Sequence, residues 1–145
     1  MTQAQHCNMH TTNLELISVD GDKGTATVTI NKSELKSDYE SFLADDSDSI
    51  EINYCPNCGK RLYKNTNLKL NSDTKAEKCP YCQGEHLPLL DVDGIDGNGE
   101  SYNATTTITT SSELKTVLFE EYSDFGEEDD KIKINYCPIC GRHLN

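Results

Sequence analysis

An eight-residue pattern, Ile-Asn-Tyr-Cys-Pro-x-Cys-Gly, occurs twice in the chain, at residues 52–59 and again at 134–141. Two cysteines separated by two residues can turn both thiolates toward one ion, and a closed zinc site takes four such ligands. Each copy therefore requires a second ligand pair from elsewhere in the chain. This requirement constrains the fold, because it ties two distant segments together at each site.

The second ligand pair of each site is predicted far upstream of the pattern. Cys79 and Cys82 precede the second copy, and Cys7 with His10 precede the first. We prefer His10 to the nearby His6 because His10 preserves the two-residue spacing. All seven cysteines are then used. The prediction is two structural Zn²⁺ ions, one held by Cys7, His10, Cys55 and Cys58 and the other by Cys79, Cys82, Cys137 and Cys140.

The repeat extends beyond the cysteines. Val-Asp-Gly at 19–21 recurs at 92–94, and Ser-Glu-Leu-Lys at 33–36 recurs at 112–115, in the same order along the chain. An internal duplication explains this order, and it would allow the two copies to pack as a pseudo-symmetric pair. The predicted units are a first module at 1–63, a basic linker at 64–78 and a second module at 79–145.

Each module is expected to begin with a β-hairpin and to end with a strand that leads into the cysteine pair. In the first module, segments 14–19 and 25–30 flank a glycine-containing turn, and the second of them alternates in hydrophobicity. Segments 87–92 and 103–109 repeat this arrangement in the second module. The predicted last strands are 49–54 and 131–136.

A helix is predicted between the hairpin and the last strand of each module. Asn31 lies three residues before Glu34, and Thr110 lies three residues before Glu113, which is the spacing of a helix capping box. Apolar residues then recur at helical intervals. These residues are Leu35, Tyr39, Phe42 and Leu43 in one module, and Leu114, Val117, Leu118, Tyr122 and Phe125 in the other. The predicted fold class is therefore α+β, with one small antiparallel sheet and one helix in each of two tandem modules.

The segments Tyr-Cys-Pro-x-Cys-Gly-(Lys/Arg)-x-Leu at 54–62 and 136–144 resemble the terminal knuckle of zinc-ribbon-like proteins. In particular they are similar to small proteins of this kind from bacteriophages and from prophages of Gram-positive bacteria. The resemblance implies metal-ligand roles for Cys55, Cys58, Cys137 and Cys140. It implies no specific activity.

Other chemical interpretations fit the sequence less well. Cys79-Pro80-Tyr81-Cys82 matches a redox motif, but the polar segment before it and Gly84 after it do not provide the strand and helix that activate such a thiol. The acidic segment 91–100 lacks the ligand spacing of a calcium loop and is interpreted as a hairpin loop. Two sites closed by four protein ligands leave no open position for hydrolysis, so we expect no enzymatic activity.

Charge suggests a protein partner. The net charge is −12 at pH 7, and residues 60–78 are the only basic stretch. An acidic surface repels phosphate backbones, so we expect binding to a basic protein surface, for example as a phage-type inhibitor or adaptor that mimics DNA. The candidate contact residues are Asp45, Asp46, Asp48, Glu120, Glu121, Asp124, Glu127, Glu128, Asp129 and Asp130. The alternative is a nucleic-acid-binding zinc ribbon that uses residues 60–78.

Cysteine usage and hydropathy bear on the compartment. Cys-x₂-Cys pairs favour metal binding over disulfides in a reducing environment. No apolar run has the length of a membrane span, and the first residues lack a signal-peptide pattern. We therefore expect a cytoplasmic protein.

Overall fold

Eight β-strands form the regular structure of this protein in a computed structural model that describes residues 7, 13–62, 79–83, 85–124 and 126–144. They make two four-stranded antiparallel sheets, with the strand orders β1-β2-β3-β4 and β5-β6-β7-β8. The first sheet contains β1 (Leu14–Asp20), β2 (Gly24–Asn31), β3 (Glu34–Ser41) and β4 (Asp45–Glu51). The second contains β5 (Leu90–Ile95), β6 (Ser101–Ile108), β7 (Glu113–Glu120) and β8 (Glu127–Lys133).

The predicted α+β fold class is wrong, because the described residues contain only strands and the turns between them. The segments expected to be helices are β3 and β7, the third strand of each sheet. The supposed helix cap at Asn31 belongs instead to a tight hairpin turn, in which Asn31 pairs with Glu34 and Lys32 has a positive φ of 55°. In the described part of the chain no helix is long and apolar enough to cross a membrane.

The helical interpretation failed because a spacing of four residues fits both periodicities. Leu35 and Tyr39 share a face of a helix, but they also share a face of a strand, where side chains alternate every two residues. The residue between them, Ser37, is buried as well, which shows the strand period. The other two apolar residues assigned to the first predicted helix do not lie on this buried face, since Phe42 is fully exposed and Leu43 is 43% exposed.

The apolar residues assigned to the second predicted helix are likewise divided between buried and exposed positions. Leu114 and Leu118 are buried on the inner face of β7, and the buried residue between them is Thr116. Val117 lies on the other face, and Tyr122 is 79% exposed in the turn after the strand. Phe125 lies outside the described residues. A polar residue at the central inward position therefore concealed the strand period in both halves.

The two predicted hairpins are confirmed, as β1 with β2 and β5 with β6. The strands predicted at 49–54 and 131–136 start too late, since β4 begins at Asp45 and β8 at Glu127. Strand β4 and its counterpart β8 are each the last strand of their sheet, and both are rich in acidic residues. These acidic residues occupy edge strands, where charge discourages pairing with other chains.

The two sheets pack against each other and share one core. Strand β1 lies beside β8, and β4 lies beside β5, so each half contacts the other at two seams. Buried apolar residues from both halves form a single cluster. Within this cluster the rings of Tyr39 and Tyr102, one from each half, stack with their centroids 4.2 Å apart. At one seam the Asp48 carboxylate accepts a hydrogen bond from the backbone N–H of Asp91, at the edge of the second sheet.

Candidate metal centres

Each repeated Cys-Pro-x-Cys-Gly segment forms a compact loop, here called a knuckle: residues 55–59 in the first half and 137–141 in the second. The backbone N–H of Gly59 donates to the carbonyl of Cys55 at 2.9 Å, and Gly141 donates to Cys137 at the same distance. Both glycines have a positive φ, 72° and 74°, which other residues adopt at a cost. The glycines therefore allow each loop to close under its pair of thiols.

The knuckle of the second half completes a cluster of four thiols. The Sγ atoms of Cys79, Cys82, Cys137 and Cys140 all lie within 4.8 Å of one another. Cys79 and Cys137 are 4.0 Å apart at Sγ, and Cys82 and Cys140 are 3.6 Å apart. These distances are far longer than the roughly 2.05 Å of a disulfide bond. The cluster could hold a metal ion, and it unites the two pairs that the sequence predicted.

The first half has the corresponding cluster with three described ligands. The Sγ atoms of Cys7, Cys55 and Cys58 lie within 4.8 Å of one another, and those of Cys7 and Cys55 are 3.6 Å apart. The Asn57 side chain amide lies 3.5 Å from the Cys7 sulfur. This group too could hold a metal ion. The predicted fourth ligand, His10, lies outside the described residues, as does the alternative His6, so the choice between them stays a prediction.

Burial and crowding govern the protonation of these thiols. Burial raises the pKa of Cys55 to about 12, although the backbone N–H groups of Cys58 and Asn57 act in the opposite direction. Burial likewise raises the pKa of Cys137 to about 12, against backbone N–H groups of its own knuckle. Thiols packed this closely resist ionisation because each thiolate repels the next. A divalent cation between them would remove this repulsion and favour the thiolates.

The upstream pair of the second cluster differs in its protonation. Burial acts to raise the pKa of Cys79, but hydrogen bonds from the backbone N–H groups of Tyr81 and Cys82 outweigh it, and the net shift is downward. The pKa of Cys82 is raised, first by burial and then by the charge of Cys137. Backbone amides thus point at sulfurs in both pairs of this cluster.

The two knuckles contact each other reciprocally. The backbone N–H groups of Asn53 and Tyr54 both donate to the carbonyl of Pro138, at 2.9 and 3.0 Å. In the same way, the N–H groups of Asn135 and Tyr136 donate to the carbonyl of Pro56, at 2.9 and 3.0 Å. In the sequence, each proline lies between the two cysteines of its own knuckle. The residues in front of one knuckle therefore hold the loop of the other.

Side chains of the repeated pattern strengthen this contact. The Asn53 amide donates to the carbonyl of Ile139 at 3.1 Å, and the Asn135 amide donates to the carbonyl of Asn57 at 3.2 Å. The Tyr136 ring lies so close to Gly59 that a Cβ there would be 2.8 Å from it, and the Tyr54 ring lies equally close to Gly141. Besides adopting a positive φ, each glycine thus leaves the space in which the tyrosine ring of the other half packs.

The sequence prediction had assigned no role to Asn53, Tyr54, Asn135 and Tyr136, although their identity in both copies was a signal. A metal knuckle by itself needs cysteines and turn residues. The additional Asn-Tyr pair is explained by the contact between the two copies, which is formed by residues about 80 positions apart, such as Asn53 and Ile139 (separation 86).

Glu120 had been predicted to contribute to a partner surface, but it is only 3% exposed and binds within the fold. Its carboxylate accepts hydrogen bonds from the Tyr39 hydroxyl at 2.8 Å and from the backbone N–H groups of Lys23 and Gly24 at 3.1 and 2.9 Å. Glu120 therefore joins β7 to the β1–β2 turn of the other half. A carboxylate satisfied by three internal donors is unavailable to a partner.

The remaining acidic candidates lie at the surface to different degrees. Asp45, Asp46, Asp124, Glu127, Asp129 and Asp130 are exposed, and Asp48, Glu121 and Glu128 are partly buried. Some already have partners, since Lys115 pairs with Asp129 at 2.5 Å. Glu121 accepts hydrogen bonds from the backbone and hydroxyl of Ser101 at 2.8 and 2.9 Å, and these bonds lower its pKa. The basic linker 64–78 lies outside the described residues.

Comparison with known proteins adds no relative to this description. The chain matches no protein-family model, no curated protein and no solved structure.

Proposed function

We propose that this protein is an acidic protein-binding module whose two thiol clusters hold structural Zn²⁺ ions. A tetrahedral zinc site with Zn–S bonds of about 2.3 Å places its sulfurs about 3.8 Å apart. The closest cross-pair sulfur distances, 3.6 to 4.0 Å, fit this geometry. In such sites, the sulfur ligands usually accept hydrogen bonds from backbone amides, as they do here. The four thiols of the second cluster would supply all four ligands of a tetrahedral site, which suits a structural ion better than a catalytic one.

One repeated surface feature carries the proposal that the module binds a protein. In each half, a turn with an exposed aromatic residue leads into an acidic edge strand. Phe42, fully exposed, precedes Asp45 and Asp46 of β4, and Tyr122, 79% exposed, precedes the acidic run of β8. Exposed aromatic side chains are common anchors in protein interfaces, and surrounding carboxylates favour a basic partner.

The acidic run of β8 is the longer of the two, since β4 has only two consecutive acidic residues. It contains Glu127, Glu128, Asp129 and Asp130 in succession. Three lysines lie near it: Lys115 pairs with Asp129, Lys131 pairs with Glu113 at 3.3 Å, and Lys133 is the last residue of the strand. The four carboxylates of the run, together with that of Glu113, outnumber these three cations, so this strand favours a partner with lysine or arginine residues. A basic, nucleic-acid-binding groove on another protein has that chemistry.

The test compares two double variants with the same change of charge. The Asp129→Lys, Asp130→Lys variant alters the β8 surface, and the Glu34→Lys, Glu85→Lys variant alters exposed acidic residues outside it. Zinc-loaded proteins are used as bait in a cell lysate, and captured proteins are identified by mass spectrometry. We expect a basic partner to be captured by the original protein and by the second variant, but not by the first. Equal capture by both variants would overturn the assignment to β8.

The alternative function, nucleic-acid binding through residues 60–78, can be distinguished in the same preparation. Of its six basic residues only Lys60 and Arg61 are described, and both are exposed next to the first knuckle. Native mass spectrometry with a short DNA duplex should show two zinc ions and no DNA adduct. A DNA adduct that weakens with salt and with a Lys60→Glu, Arg61→Glu variant would favour the alternative.

A further inference from the structure

We propose that the two metal ions bind as a coupled pair, because each knuckle is positioned by the residues that precede the other knuckle. Asn53, Tyr54, Asn135 and Tyr136 are the positioning residues. The inference rests on the proposed zinc sites and adds a property that neither cluster would have alone: the occupancy of one site sets the affinity of the other.

The main-chain geometry supplies the coupling. The Pro56 carbonyl lies between two ligands of the first site, and it receives two N–H groups from the residues directly before Cys137, a ligand of the second. The Pro138 carbonyl receives two N–H groups from the residues directly before Cys55. When an ion fixes one knuckle, its loop presents an oriented carbonyl acceptor, and the preceding residues present oriented donors. The second knuckle then has less conformational freedom to lose when its own ion binds.

Close packing makes the contact sensitive to knuckle shape. The Tyr54 and Tyr136 rings lie against glycines at which a Cβ would approach to 2.8 Å. Both glycines require a positive φ, which each knuckle adopts as it closes. A knuckle that opens therefore loses the surface on which the ring from the other half packs. Each half also contributes an asparagine side chain, which is not a metal ligand, so the contact can be perturbed without changing a metal ligand.

The expected effect is large enough to measure. Couplings between sites in proteins commonly change affinity by about 5- to 150-fold. With four main-chain and two side-chain hydrogen bonds across the contact, we expect a change of at least about tenfold. Linkage also requires that each site changes the affinity of the other by the same factor.

The experiment measures the zinc affinity of each site while the other is intact or disabled. The full chain is titrated with Zn²⁺ in competition with a chromogenic chelator. In the Cys58→Ser variant the second site keeps all four thiols, yet its affinity should fall about tenfold or more. In the Cys140→Ser variant the first site should lose affinity by the same factor. Unchanged affinities in both variants would overturn the inference.

A second variant separates coupling through the contact from general unfolding. Asn53→Ala with Asn135→Ala keeps every cysteine and removes both side-chain hydrogen bonds. We expect this protein to bind two zinc ions with a coupling factor reduced several-fold, whereas the Asn98→Ala control, in the exposed β5–β6 turn, should keep the full factor. Full coupling in the double variant would show that the two asparagine side chains do not carry it, and would overturn their assignment as positioning residues.

Failure of the zinc proposal has a different result. Native mass spectrometry of the original protein would then show no bound zinc at all. Two zinc ions with independent affinities would contradict only the coupling.

Discussion

The knuckle region and the opposite ends of the β-hairpins differ in how closely the two halves repeat each other. At the knuckles the same residues occur in both halves and make the same contacts in both directions. At the hairpin ends the paired positions differ, because Gly24 opposite Ser41 in the first half corresponds to Tyr102 opposite Glu120 in the second. The two halves are therefore symmetric at the knuckles and asymmetric at the hairpin ends.

The asymmetry makes the halves complementary. The small residues of the first half leave space near β2 that Glu120 of the second half enters, and a Cβ at Gly21 would lie 2.5 Å from its carboxylate oxygen. In the second half, Gly94 leaves space for the Tyr102 hydroxyl. Lys23, in the first half, also forms an ion pair with Glu100 of the second. Each half therefore supplies what the other lacks, and two copies of one half would not reproduce this packing.

Removal of the proposed zinc ions should have the largest effect, because it breaks the symmetric region directly. Structural zinc sites in small domains contribute roughly 10 kcal/mol or more of apparent free energy, which matches the entire stability of a typical domain. We expect chelator-treated protein to lose its cooperative thermal transition and to regain it when Zn²⁺ is restored. Circular dichroism during heating measures this. A transition unchanged by chelation would show that the shared core alone maintains the fold.

Replacement of Glu120 tests the asymmetric region. Glu120→Ala leaves the Tyr39 hydroxyl and two backbone N–H groups without their acceptor in a buried place. Each buried donor left without an acceptor costs about 1–3 kcal/mol, so the loss of all three partners should cost about 3 kcal/mol or more. The matched control is Ser41→Ala at the corresponding position of the first half, where the Ser41 hydroxyl caps a turn and its loss should cost about 1 kcal/mol. Urea unfolding measures both; equal losses would mean that Glu120 has no special role.

Sequence alone predicted the symmetric region better than the asymmetric one. The pairing of the cysteines followed from ligand spacing, because metal geometry restricts which pairs can meet. The hairpins followed from alternating hydrophobicity around glycine turns. By contrast, the third strands were mistaken for helices, since Leu35 and Tyr39, like Leu114 and Leu118, are four residues apart and fit either period.

Contacts between the halves could not be predicted, because no local pattern encodes them. Glu120 looked like one acidic residue among many, and its burial depends on space left by Gly21 and on a backbone N–H of Gly24, both at the other end of the chain. Asn53 and Asn135 had a detectable signal, namely their repetition. The sequence did not show what they contact, since that depends on how the two sheets pack.

Alkaline pH should lower the free energy of unfolding through the stacked tyrosines that lie where the two halves meet. Burial, and then the hydrogen bond to Glu120, raises the pKa of Tyr39 above its ordinary value of 10.0, and burial also raises the pKa of Tyr102. The folded state thus holds these protons more tightly than the unfolded state. The contribution of these tyrosines to the free energy of unfolding is therefore fully present below pH 10. Above pH 10 it falls, by up to about 1.4 kcal/mol per pH unit for each tyrosine.

Urea unfolding between pH 8 and pH 12 measures this slope. The Tyr102→Phe variant keeps the ring and loses one titrating group, so its stability should fall less steeply than that of the original protein. An identical slope in the variant would show that Tyr102 ionises as easily in the folded state as in the unfolded one.

The smallest expected effect has opposite signs in the two halves. In the second half, the hydroxyls of Thr106 and Thr116 lie 2.8 Å apart in a buried cross-strand pair. At the corresponding pair in the first half, Ser37 faces Val28, and its buried hydroxyl finds no hydrogen-bond partner among the described residues. Thr116→Val should cost about 1–2 kcal/mol, since it leaves the Thr106 hydroxyl buried and unpaired.

Ser37→Ala should instead leave the free energy of unfolding unchanged or raise it by up to about 1 kcal/mol, because it removes a hydroxyl that already lacks a partner. Thermal and urea unfolding of both single variants provide the comparison. If Ser37→Ala destabilised the protein as much as Thr116→Val, the Ser37 hydroxyl would have to be satisfied in solution. The inner faces of the two sheets would then be equivalent in their polar pairing, and the asymmetry between the halves would be confined to the hairpin ends.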